Sequence, residues 1–174
     1  MSEFEQAVEA VIAGDEASLR ALLASNPDLI RIRSERPHRA TLLHYVAANG
    51  VEDERQITPP NAVAIARILL DAGAEVDAEN DAYGGHCTTM GLLVSSVHPA
   101  RAGVQVALVD TLVDYGAAVD GVANDGSPLT TALAFHYIDA AEALVRRGAR
   151  VDTLSTAAAM GREDLVREYL ARGT

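Results

Sequence analysis

Apolar residues along this chain come in short helical stretches, paired and punctuated by glycine. Ala7, Val8, Val11 and Ile12 stand at helical spacing, Gly14 interrupts them, and Leu19, Leu22 and Leu23 begin again. Steps of three and four residues predict two short helices with one apolar face each. The pairing returns four times. Leu42 to Ala48 is followed by Ile68, Leu69 and Leu70, and Thr88 to Ser95 by Val104, Leu108, Leu112 and Val113. A helix starting at Pro128 precedes Ala140, Ala141, Leu144 and Val145, and Leu154 to Gly161 precedes Leu165, Val166, Tyr169 and Leu170.

Gly73-Ala74, Gly116-Ala117 and Gly148-Ala149 close three of these pairs, and each is followed by Val-Asp (Val76-Asp77, Val119-Asp120, Val151-Asp152). Such repetition marks stacked units that bury their faces on one another. The pattern predicts an all-α solenoid of about five helix-turn-helix units in a single domain, 1–174. Residues 1–34 form an N-terminal cap without an opening turn, 35–79, 80–122 and 123–152 follow as repeats, and 153–174 is a shortened last unit.

Two places break the period. Gly50 lies 23 residues before Gly73 where about twelve are expected, and the excess, 51–61, is polar and closed by Pro59-Pro60. Proline disfavours helix before it, so this reads as an inserted loop. A second insertion falls at 97–103, around Val97-His98-Pro99-Ala100-Arg101-Ala102-Gly103. Insertions at equivalent places in adjacent units are expected to lie side by side in space, and loops of this length tend to be functional.

The 32 residues from Gly116 to Gly148 and the run Thr41-Leu42-Leu43-His44-Tyr45-Val46-Ala47-Ala48-Asn49-Gly50, with the looser Ser127-Pro128-Leu129-Thr130-Thr131-Ala132-Leu133, resemble the ankyrin repeat. The resemblance covers essentially the whole chain, and the insertion ending Thr58-Pro59-Pro60-Asn61 together with Ser96-Val97-His98-Pro99 is similar to bacterial ankyrin-repeat proteins. It implies short outward turns in place of a real sheet and a non-enzymatic module that offers a concave groove to a protein partner. By the family's helical phase Tyr45, Ala48 and Asn49, and Thr131, Ala134 and Phe135, face that groove, while His44 is a structural residue tying neighbouring turns.

Composition narrows the chemistry. Apolar residues make up 49%, aromatics only 4% and Trp none, so Ala, Leu and Val must build the core. A net charge of -11 repels phosphate backbones and anionic membrane surfaces, which removes nucleic acid and membranes from the expected partners. The lone Cys87 and the start Met1-Ser2-Glu3-Phe4-Glu5 fit a monomer in a reducing cytoplasm.

No cofactor or metal is expected: His86, Cys87 and His98 match no closed zinc spacing, and nothing pairs Cys87 with a base. Glu52, Asp53 and Glu54 read as a solvated acidic run. The expected partner surface is Tyr45, Asn49, Tyr83, His86, His98, Thr131, Phe135 and Tyr137, because exposed aromatics in a chain so poor in them often anchor partners. Its bland alternative is that the long loops cover these rings. The rival function is a small-molecule or enzyme-like pocket, formed by the two insertions with His86, His98 and Arg55. A third reading, a structural segment of a longer protein, expects an apolar patch around Leu165 and Tyr169.

Overall fold

Side chains cap the starts of several helices, and glycine lies at or just past the ends of many. Ser2 accepts the Glu5 amide at 3.2 Å, Asp15 the Ser18 amide at 3.0 Å, Thr88 the Gly91 amide at 3.2 Å and Thr153 the Thr156 amide at 3.1 Å, each occupying a donor that a helix start leaves open. In the computed structural model, which describes residues 1–173, the chain is 58% helical. The helices are α1 (Glu3–Ala13), α2 (Glu16–Ser25), α3 (Leu42–Val46), α4 (Ala62–Asp71), α5 (Thr89–Leu93), α6 (Val97–Arg101), α7 (Gln105–Asp114), α8 (Ser127–Ala134), α9 (Ile138–Arg146), α10 (Leu154–Ala159) and α11 (Glu163–Arg172). Two two-residue strands, β1 (Glu79–Asn80) and β2 (Cys87–Thr88), pair antiparallel with Glu79 opposite Thr88.

The helices pack in two rows. α1, α3, α5, α8 and α10 contact one another in that order, α2, α4, α7 and α9 do the same, and α1, α3, α5 and α8 each pair with one of the second row while α10 pairs with α11. Short axes approach closely because the contact positions are small: Ala7, Ala47, Ala66, Ala140, Ala141 and Ala143 have no exposed surface. Leu19, Leu42, Leu43, Ile65, Leu69, Met90, Leu93, Leu108, Leu112 and Leu129 fill the space between the rows. At the last pair burial fails, and α11 buries no residue.

Polar ties between successive pairs recur along the turn edge. His44, fully buried, takes the Thr41 hydroxyl at 2.8 Å and the Thr41 amide at 3.1 Å on Nδ1 and donates from Nε2 to the Cys87 carbonyl at 3.2 Å. Arg33 donates to the Glu79 carbonyl at 2.5 Å, and the Asp81 amide to the His38 carbonyl at 2.9 Å. Farther along, Asp77 accepts the Ala118 amide at 3.0 Å and Asp120 the Arg150 amide at 2.9 Å. The Asp of the first two closing turns, Asp77 and Asp120, thus satisfies a backbone donor one unit on.

The insertions go elsewhere than expected. Residues 51–61 fold back on α1: Asp53–Arg55 form a 3₁₀ turn, Arg55 pairs with Glu5 at 2.5 Å, and Asn61 donates to the Gly14 carbonyl at 2.9 Å and to Glu16 at 3.0 Å. Gly14 has φ 71°, and a Cβ there would stand 2.2 Å from the Asn61 amide oxygen, so glycine alone permits this approach. The 97–103 stretch is mostly helix, α6, and packs on α7. The two insertions therefore serve different neighbours, 51–61 packing on α1 and 97–103 on α7.

The folded-back insertion also overturns the expectation that Tyr45 faces solvent. Its ring has no exposed surface, with the Phe4 ring centroid at 6.5 Å and the His38 ring centroid at 6.0 Å, both edge-on. Around it lie Glu52, bonded to His38 at 2.8 Å and to Arg36 at 2.9 Å, and Arg55 with Glu5. Burial pushes the Tyr45 hydroxyl pKa up. Burial alone raises that of Glu52, yet the His38 hydrogen bond and the neighbouring cations outweigh it and leave it lowered.

Burial drives the His44 pKa from 6.5 down to about 4, against the pull of the carbonyls of Cys87 and Ala78. In the window from pH 6.5 down to about 4 the unfolded chain binds a proton at this site that the folded chain refuses. Its contribution, roughly 3 kcal/mol, is fully present above pH 6.5 and lost on acidification through that window. Urea unfolding of wild type and His44→Gln from pH 7 to 4.5 is expected to show wild type losing its advantage as pH falls. A constant difference contradicts the assignment.

Candidate binding groove

The first-row helices α5 and α8 and the turns before them enclose a cleft of about 760 Å³. Gly91, Leu92 and Ser95 of α5 and its end, with Pro128, Thr131 and Phe135 of α8 and its cap, form the floor. Tyr83 and His86 from one turn and Val122, Ala123 and Asp125 from the next form the lips. Three apolar side chains stand open to water here, Tyr83 at 75%, Phe135 at 57% and Val122 at 55% exposure.

Asn49 holds the Tyr83 lip in place. Its amide nitrogen donates to the Leu92 carbonyl at 3.1 Å and the Ser95 hydroxyl at 2.9 Å, while its oxygen accepts the Tyr83 hydroxyl at 2.6 Å. Beneath the turn Gly50, at φ 69°, lets Ala82 come within 2.8 Å of where a Cβ would be. Tyr83 and His86 themselves sit at φ 51° and 59°, left-handed backbone that glycine adopts more readily than either. Their turn also carries Gly84 and Gly85, so the sequence does place glycine here.

The polar groups of the groove are largely engaged with one another. Thr88 caps α5, Ser95 donates to the Leu92 carbonyl at 3.1 Å, and Asp125 accepts the Ser127 amide at 2.9 Å. His86 Nδ1 lies 2.9 Å from Glu79. That hydrogen bond, then the Glu79 and Asp81 charges, raise the His86 pKa above 6.5. Cys87 donates its thiol to the Ala82 carbonyl at 3.1 Å, and burial pushes its pKa up, so the thiolate needed by a nucleophile or a metal ligand is disfavoured.

Of the residues expected at the partner surface, Asn49, Tyr83, His86, Thr131 and Phe135 line this one groove. Tyr45 is in the core, as described. Tyr137 lies half-buried on a separate cleft of about 290 Å³ with Gly103, Gln105 and Val106, and His98 sits half-buried on α6. His86, His98 and Arg55 do not converge: His86 is on the groove, and Arg55 lines a cleft with Met1, Phe4 and Arg36 at the other end of the first row. The pocket of two insertions is thereby corrected, since the insertions cover α1 and α7. Sequence reading missed Val122, whose signal was an apolar β-branched residue in an otherwise small and polar turn, 121–127.

Compared with known proteins, the chain matches no family model and no curated sequence.

Asn49→Ala removes three hydrogen bonds from a half-buried position and should cost about 1–3 kcal/mol in urea unfolding. His86 should titrate above 6.5 by NMR and return toward that value in Glu79→Gln. Being a base with a raised pKa, it contributes below pH 6.5 and its contribution fades as pH rises through the raised value. A His86 pKa indifferent to Glu79→Gln contradicts the pairing.

Proposed function

We propose that this chain is an ankyrin-type repeat module that binds a segment of a partner protein in the groove between Tyr83 and Phe135. The observation that carries it is the pair of exposed rings on one groove, in a chain with only five Tyr and two Phe. Exposed aromatics set in an apolar cleft are the anchors on which partner affinity concentrates. Tyr83 supports this twice, because it occupies left-handed backbone that disfavours it and its hydroxyl is fixed by Asn49. Backbone strain of this kind collects at functional surfaces.

Two rows of helix pairs in chain order, the same role for Asp77 and Asp120 and the buried His44 tie support the ankyrin reading. The internal engagement of Asn49, Ser95, Thr88 and Asp125 favours recognition over catalysis, since it leaves no nucleophile beside a free base. By contrast the back face spends its charges internally: Arg147 pairs with Asp114, Arg146 with Asp110 at 3.5 Å, and Tyr115 donates to Asp71 at 2.5 Å.

A photo-reactive phenylalanine placed at Phe135, and separately at exposed Ala107 on α7, tests the groove in cells expressing the full chain. The expected result is a discrete covalent adduct from position 135 and none from 107. Adducts from 107 alone overturn the proposal. No protein adduct from 135, with thermal stabilisation by small apolar compounds, would assign the cleft to a small ligand. As a control, Phe135→Ala and Tyr83→Gly should each change stability by less than about 1 kcal/mol, since both side chains are exposed.

A further inference from the structure

Resting on the groove as a peptide site, we infer that its occupant is an extended segment in which an apolar side chain is followed closely by arginine or lysine. The apolar anchor seats over Leu92 and Phe135, and the cation reaches the carboxylates on the turn edge. The charge of the groove is one-sided. Glu79 and Asp125 line it, Asp81 stands close enough to act on His86, and no arginine is among its lining residues. All 14 cationic side chains of the chain are arginines, and those at the end of α9 and in the turn after it are paired: Arg146 with Asp110, Arg147 with Asp114, Arg150 with Asp120 at 3.1 Å.

The two ends of the cleft differ in kind. Glu79 and Asp125 belong to the turns that precede α5 and α8, whereas Leu92 and Phe135 lie at the far ends of those helices. A segment running along the two helices therefore meets an apolar floor at one end and negative charge at the other. The Ser127 hydroxyl and amide bond to Asp125 and lower its pKa. Glu79 is held by His86, which shares its charge only when protonated, so a partner cation competes with His86 for the same carboxylate. An acidic or phosphorylated segment would face uncompensated repulsion from an overall charge of -11.

The test pans a library of short random displayed peptides on the full-length protein, with counter-selection on a Tyr83→Ala/Phe135→Ala double variant. Recovered sequences are made as free peptides and titrated against wild type, Phe135→Ala and Glu79→Gln/Asp125→Asn, with melting curves confirming that each variant is folded. The expected result is enrichment of an apolar residue beside arginine or lysine. Affinity should fall at least about tenfold on Phe135→Ala. It should fall about tenfold on the charge variant and weaken with added salt in wild type only. Peptides that need Phe135 but carry no cation, or bind the charge variant equally well, overturn this inference and leave the groove standing. Peptides indifferent to both ring substitutions, or no enrichment over the counter-selected protein, overturn the groove as well.

Discussion

A buried neutral imidazole is the constraint on which the rest of this structure depends. His44 stands in the first row with no exposed surface, and its two nitrogens have opposite roles: Nδ1 receives the Thr41 hydroxyl and amide, and Nε2 donates to the Cys87 carbonyl. The first pair of bonds starts α3, and the last reaches into β2, at the base of the turn that carries Tyr83 and His86. A single side chain therefore fixes both a helix and the height of the next turn above it. Protonation would remove the acceptor while leaving a charge in the core, and either change costs more than a lost surface contact.

From that tie the groove follows by short steps. Asn49, at the end of the same helix and strand-free stretch, spends its amide on Leu92, Ser95 and Tyr83, so the floor and the lip move together. Ser96, where the repeating pattern has glycine, is buried and donates to the Ala48 carbonyl at 3.1 Å, joining the ends of successive first-row helices. The α3 and α5 units are thus joined by specific hydrogen bonds, while the second row relies on alanine and leucine packing with surface ion pairs that contribute little each.

Much of this architecture was legible in the residues. Helical spacing located the helix pairs, because each buries one narrow apolar face, and the Gly-Ala turns marked their ends. The resemblance to the ankyrin repeat put Phe135 and Asn49 on one surface, and both line the cleft. It failed for Tyr45, which has the same phase as Thr131 but a different neighbourhood: Glu52 and Arg55 of the insertion close over it, together with Phe4 and His38. Phase within a unit is a local property, whereas coverage by a distant loop is not. For the same reason 51–61 read as a loop free to reach a pocket, when its buried Arg55 and Pro59 and the docking of Asn61 on Gly14 tie it to α1. The role of the repeated Asp was also hidden, since Asp77 and Asp120 act on amides more than thirty residues away or close to it, beyond any window in which a spacing rule operates.

The most direct measurement is the nitrogen-15 spectrum of the His44 ring as pH is lowered. The expected result is a neutral ring with the proton on Nε2 and a bare Nδ1, holding that state well below the ordinary 6.5 and changing only near the value of about 4. A ring that carries its proton on Nδ1, or that titrates at its ordinary value while the protein remains folded, would contradict the tie between α3 and the turn, and with it the ordered groove.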